Sequence, residues 1–292
     1  MKKIISMLLS LLLLLSMSSA AFAEPSQSRV VIGADLSAQQ VATVYKTFGL
    51  QRGQVVELKV NNAEERRLLS GFVDNSLIGT RSVSCVYVQL LPAGSGMSVV
   101  TSNITWCTGQ MYVSALSTAG ITDARIVVTA PVPVSGTAAL TGVYKAYENM
   151  TGTKLADASK LLGMQELAVT GSLADAFGSV DSLAIVNDLK LMLDKTKGMS
   201  DEELRRTITE TAQQYGVNLN QTQMNQLVSL CRSLENLDPS QLRERVQKVQ
   251  DTLRRASEAK DKVVGFAENL KSFIESLSGF FESLRSFFER FS

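Results

Sequence analysis

The chain has 292 residues, with 29 Lys and Arg against 28 Asp and Glu, and it contains no histidine. A near-neutral chain carries no broad field for drawing in nucleic acid or other anionic polymers. The missing histidine excludes a Ser-His-Asp triad, a Cys-His pair and any His-containing zinc site, so hydrolytic chemistry would need carboxylate or Ser-Lys pairs, which no motif here specifies.

Residues 1–23 read as a cleavable secretory signal peptide. Lys2 and Lys3 give the positive start, and Ile4–Leu15 is apolar but for Ser6 and Ser10. Ala21-Phe22-Ala23 supplies the small-x-small cleavage pattern. The apolar run falls short of the about 20 residues that a membrane-spanning helix needs. Cleavage after Ala23 would remove two lysines and leave 269 of the 292 residues, with 27 basic and 28 acidic side chains. The expected location is outside the cell, free or held at the cell envelope.

From Arg29 onward strands and helices alternate. Arg29–Gly33 is a β-branched run. Ser37 and Gln40 form a capping box for a helix carrying Val41, Val44, Tyr45 and Phe48, which Gly49 ends. Val55–Val60 is the next strand. Asn62 and Glu65 read as a second cap-like pair opening a helix to Leu69, with Glu64-Glu65-Arg66-Arg67 taken as its solvated face. Arg81–Leu91 and Met97–Trp106 read as a hairpin about the Pro92–Gly96 turn. A helix over Gln110–Ala119, a strand over Ala124–Ala130 ended by Pro131 and Pro133, and a helix from Thr137 to Met150 complete this part.

Strand signals stop past Thr151. Ser200 and Glu203 box a helix over Asp201–Tyr215, with Asp201–Arg205 and Glu202–Arg206 as i,i+4 charge pairs. Asn220 opens another, whose stripe is Met224, Leu227, Val228, Cys231 and Leu234. Asp238, Pro239 and Gln241 start the last helix. Its stripe runs through Leu242, Val246 and Val249 to Leu270, Ile274, Leu277, Phe281, Leu284 and Phe288, flanked by further phenylalanines. Unbroken, it would be about 80 Å long. The fold class is α+β: a mixed strand and helix domain at 24–152, an all-α region at 153–237 and an amphipathic helix at 238–292. That last helix can cover the protein's own core, form a coiled-coil homo-oligomer through Leu270–Phe288, or rest on a membrane surface. Its charges lack the Lys/Arg bias that anionic lipid attracts.

Several phrases occur in order: Gly33-Ala34-Asp35-Leu36, Asn62-Ala63-Glu64-Glu65-Arg66, Ile78-Gly79-Thr80-Arg81-Ser82, Ser102-Asn103-Ile104-Thr105-Trp106, Thr118-Ala119-Gly120 and Pro133–Gly142. On these the chain resembles the YpuA-like secreted proteins of Gram-positive bacteria, a domain of unknown function (family 1002). The resemblance implies export and a role at the cell envelope. It carries over no activity, cofactor or catalytic residue. The chain departs from the family pattern at Cys85 and Cys107, where small or aliphatic residues are expected.

Two places could hold a ligand. Ser135-Gly136-Thr137 opens a helix directly after a strand, where free backbone N–H groups and hydroxyls can hold a phosphate or carboxylate; the plainer reading is an N-cap by Ser135 or Thr137. Asn103, Thr105 and Trp106 could form a saccharide platform, or Trp106 could be a core residue at a strand end. Asp35 is the third candidate, paired with Ser135 in a rival reading as a hydrolase or transferase. The full P-loop pattern with its lysine is absent, so nucleotide triphosphate binding is not indicated, and no metal site or cofactor is expected. A Cys85–Cys107 disulfide is disfavoured by the hairpin register, and Cys231 lies on an apolar stripe. The favoured expectation is a non-catalytic binding protein for an unnamed envelope component or protein, with a structural oligomer as a further alternative.

Overall fold

The computed structural model describes residues 27–71 and 75–251. The leader at 1–23, and the terminal stripe from Leu270 to Phe288, lie outside the described residues. Five strands, β1 (Ser28–Gly33), β2 (Val56–Val60), β3 (Cys85–Leu90), β4 (Met97–Ile104) and β5 (Ala124–Val134), form one mixed sheet in the order β2-β1-β3-β5-β4. The protein is α+β. β1 and β2 run parallel, as do β4 and β5, and β3 lies antiparallel between the two pairs. The carboxyl ends of β1, β2, β4 and β5 therefore share one edge of the sheet, where β3 begins.

This order replaces the expected hairpin. β3 and β4 are adjacent in sequence but both pair with β5, Val88 opposite Ile126 on one side and Val99 opposite Ile126 on the other. A parallel partner needs a crossover, and α4 (Gly109–Ala119) supplies it between β4 and β5. β5 also continues through Pro131 and Pro133 to Val134. Past Thr129 it has lost β3 as a neighbour, so prolines there break no ladder on that side.

Local signals hold closely elsewhere. α1 (Ala38–Phe48) begins at the Ser37–Gln40 capping box and ends at Gly49 in the left-handed region. α2 (Asn62–Leu69) is capped one residue earlier than expected, by Asn61 with Glu64. A short turn of helix, α3 (Asn75–Ile78), follows it. α5 (Thr137–Thr151) runs from Gly136 to Gly152. Alternate residues of β1 serve opposite faces. Val30 and Ile32 pack with Val41, Val44 and Tyr45 of α1. Val31 faces the other layer, with Leu116 of α4 and Leu140 and Val143 of α5.

The helical region is α6 (Asp157–Phe177), α7 (Ser179–Leu191), α8 (Leu193–Thr196), α9 (Asp201–Gln214) and α10 (Gln221–Leu234), followed by a helix α11 at 239–251. The box at Ser200–Glu203 forms as read, and Asn220, read as a helix start, also forms a box, with Gln223. Asp201, however, pairs with Arg232 of α10 at 2.8 Å rather than with Arg205, which binds Asn225. Asp238 caps α11 through the Gln241 N–H, and Leu242, Val246 and Val249 turn inward. The described start of the last helix thus covers the protein's own core.

α6 joins the two cores. Met164, Leu167 and Ala168 pack beneath the sheet, and Val169 and Leu173 pack among α7–α11. At its centre Glu166 and Lys190 of α7 form an ion pair at 2.9 Å, each 1% exposed. Ser114 of α4 donates to Glu166 Oε1 at 2.5 Å, and Thr118 donates to Oε2. Lys190 also donates to the Ser114 hydroxyl at 3.1 Å. This Ser-Lys approach is walled off from solvent, so its role is to fasten α6 and α7 to α4. Breaking one partner of a buried pair costs about 3–5 kcal/mol, because the other charge stays buried alone. Glu166→Ala and Lys190→Ala are each expected to lose that much in urea unfolding. Glu166→Leu with Lys190→Met is expected to recover most of it. A double variant as unstable as either single one would refute this account.

Candidate functional site

A cavity of about 540 Å³ lies off the carboxyl edge of the sheet. Ligand sites in open α/β sheets favour such a crevice outside strand carboxyl ends. Thr80, Arg81, Val83 and Ser84 wall it from the segment leading into β3. Thr105 and Trp106 follow β4, Pro133 and Val134 end β5, and Ser135, Thr137 and Ala138 belong to the start of α5. Glu65 of α2 also lines it.

Of the residues chosen from sequence, Thr105, Trp106, Ser135 and Thr137 meet here, and Gly136 shapes the wall. Gly136 is the N-cap of α5 at φ 96°, and no side chain caps that helix. Neither Ser135 nor Thr137 takes the capping role read from sequence; their hydroxyls stand 3.5 Å apart. A Cβ at Gly136 would stand 2.5 Å from both Ile104 Cγ2 and the Tyr112 hydroxyl, so both space and left-handed φ require glycine. Tyr112 donates to the Gly136 carbonyl at 2.6 Å and fixes the turn.

Trp106 is half-buried, neither a core residue nor a free platform. Its Nε1 donates to Asp175 of α6 at 3.0 Å, and its six-membered ring lies over Gly171, where any Cβ would collide. The helical layer therefore holds one edge of the indole while the ring lines the cavity. Asn103 sits apart. It occupies the irregularity between Ser102 and Ile104 at φ 58°, and its amide donates to the Ala130 carbonyl at 2.9 Å. Asp35 also stands behind the cavity wall: its Oδ2 accepts from the Ser82 N–H at 2.7 Å, and its carbonyl accepts from Arg81 Nη2 at 2.9 Å.

Glu65 is the residue that the sequence reading placed in a solvated face, and it is only 1% exposed. Leu68 and Leu69, three and four positions on, are buried on the same side of α2, a spacing that marks Glu65 as inward. The Ser82 hydroxyl donates to its Oε1, and among the described residues Oε2 has no hydrogen-bond partner. Gly33 makes this possible, since a Cβ there would strike the backbone of Ser82 and Val83. Burial pushes the Glu65 carboxyl up to about 7; the Ser82 bond opposes this and the Asp35 charge adds to it. Glu64 next to it behaves oppositely. Partial burial works against its charge, but bonds from Lys145 of α5 and from the Asn61 N–H hold its carboxyl below the ordinary range.

Other chemistry is sparse. Cys85, Cys107 and Cys231 are free and buried, and burial pushes their thiols up to about 12. They are poor nucleophiles in that state. Among the described residues no three Cys, Asp or Glu side chains are grouped to hold a metal ion, and no helix is long and apolar enough to cross a membrane.

The class so defined is an α+β protein with a hydroxyl-lined cavity at the carboxyl edge of a five-stranded mixed sheet. The chain belongs to the family described as "Protein of unknown function (DUF1002)", whose profile matches residues 32–254. It is 34% identical over 276 residues to the "Uncharacterized protein YpuA" of Bacillus subtilis (strain 168), covering 92% of this chain and 91% of that protein. No solved structure matches it.

A carboxyl raised in the folded state binds a proton that the unfolded chain, near 4.3, has already lost. Its stabilising effect is complete below the unfolded value and disappears as pH rises through about 7. The wild type should therefore lose stability relative to Glu65→Gln between pH 4.5 and pH 8, by about 3 kcal/mol. Parallel pH profiles of unfolding free energy for the two proteins would show that Glu65 is not the titrating group.

Proposed function

We propose that this protein is an exported, non-catalytic binding protein of the cell envelope, and that its cavity holds a polyhydroxylated ligand such as a saccharide unit. One observation carries the reading. Four of the six phrases on which the sequence resembles its family, those at 62–66, 78–82, 102–106 and 133–142, supply lining residues of the same cavity. A fifth contributes Asp35, bonded to Ser82 at its wall.

The lining chemistry suits a sugar. Thr80, Ser84, Ser135 and Thr137 offer hydroxyls, and Thr105, whose O–H donates to the Val134 carbonyl at 3.0 Å, can still accept, against the ring of Trp106. About 540 Å³ lies within the usual range for small-ligand pockets. The leader at 1–23 motivates the location, because it would place the cavity where envelope glycans are.

Trp106 is the only tryptophan in the chain, so intrinsic fluorescence reports the cavity directly. Titration of the purified protein with glucose, N-acetylglucosamine oligomers and glucuronic acid is expected to give a saturable change with at least one of them. Thr137→Val should weaken that binding about tenfold, the value of one hydrogen bond. No saturable change with any of these sugars would overturn the reading.

A further inference from the structure

We propose that the ligand of this cavity is a saccharide bearing a carboxylate, which Glu65 holds by donating a proton from Oε2 while Arg81 supplies the countercharge. This rests on the binding reading above and narrows it to acidic sugars. The geometry points there from three sides of one cavity. Glu65 Oε2 is buried in a side chain that lines the cavity, and among the described residues it meets no donor or acceptor. Left unmet, a buried polar atom is costly, and a ligand seated against Glu65 would supply the missing partner. An anionic oxygen is the better acceptor, since hydrogen bonds to charged groups are shorter and stronger.

Arg81 lines the same cavity, is exposed, and spends one N–H on the Asp35 carbonyl. A guanidinium has five such donors in a planar fork suited to carboxylate. The first turn of α5, with no side-chain cap, presents backbone N–H groups of the sign that favours an anion. Thr137 and Ser135 beside it provide hydroxyls for the rest of the ring.

The proton balance follows from the surroundings of Glu65. Within α2, Glu64 favours the protonated form and Arg66 opposes it. From the segment after β1, Asp35 also favours it. From α5, Lys145 is committed to Glu64 at 2.6 Å. From α6, Lys160 is bound to Glu148 and Asp157, and Glu166 to Lys190. A second negative charge entering the cavity therefore raises the demand for a proton on Glu65, and one proton is taken from solvent as the ligand binds wherever Glu65 was ionised.

Calorimetric titration of the protein with glucuronic acid and with glucose, at pH 6 and pH 8 and in two buffers of different ionisation enthalpy, tests this. Glucuronate stays ionised over that range. The expected result is affinity for glucuronate about tenfold weaker at pH 8, with close to one proton taken up there, and glucose binding that is weaker at pH 6 and indifferent to pH. Glu65→Gln should bind glucuronate equally at both pH values with no proton uptake. Arg81→Gln, an exposed change that should leave folding intact, should weaken glucuronate by a larger factor than glucose. Equal glucuronate affinity at pH 6 and pH 8 in the wild type, or no preference over glucose at pH 6, would overturn the inference while leaving the cavity reading standing. Absence of binding by both sugars at both pH values would remove the two together.

Discussion

Glu166 and Lys190 are each 1% exposed and 2.9 Å apart, in a place where neither charge can reach water. Their remaining hydrogen-bonding capacity is met by Ser114 and Thr118, both on α4. Three helices are thereby held at one spacing, since separating α6 from α7 strands a charge and withdrawing α4 leaves the buried pair short of hydrogen bonds. α4 is the crossover between β4 and β5, so the same contact ties the helical layer to the edge of the sheet. The position of α6 then decides what happens at the cavity. Gly171 and Asp175 receive the indole of Trp106, one by leaving space and the other by accepting its N–H. A polar contact between helices thus sets the orientation of an aromatic wall that belongs to the loop after β4.

Two adjacent glutamates show how environment divides one residue type between two tasks. Glu64 closes the capping box of α2 and pairs with Lys145, so its charge is satisfied twice. Glu65, one position on, is rotated by about 100° around the helix and enters the interior. It meets a single hydroxyl there, and among the described residues its second oxygen has no hydrogen-bond partner. A carboxyl raised to about 7 changes its charge near neutral pH, which in a chain without histidine no other side-chain type does unperturbed.

Much of the local structure was legible in the sequence. The boxes at Ser37 and Ser200, the helix start at Asn220 and the stop at Gly49 appear where they were read, because a cap is an interaction over three or four residues. The stretch from 153 to 199 offered no clear boundaries. α6 is buried on nearly every side from Leu162 to Leu173, and a helix with no wet face has no apolar period to read. Of the site, Thr105, Trp106, Ser135 and Thr137 were legible as polar or aromatic residues at strand and helix ends. Glu65 was hidden by its charged neighbours, although its spacing to Leu68 and Leu69 placed it on the inner stripe.

What the sequence determined by itself, outside 153–199, was most of the pieces: roughly where strands and helices begin and end, and which faces are apolar. Those features depend on contacts within one or two turns of chain. Which strand lies beside which was decided only in the assembled sheet. β3 and β4, separated by a short turn, looked like a hairpin, yet β5 came between them. The proton affinity of Glu65 was decided there too, because it depends on loss of water and on Ser82 and Asp35, which arrive from distant parts of the chain. Backbone pairing and desolvation are non-local quantities, and only the folded arrangement gives them values.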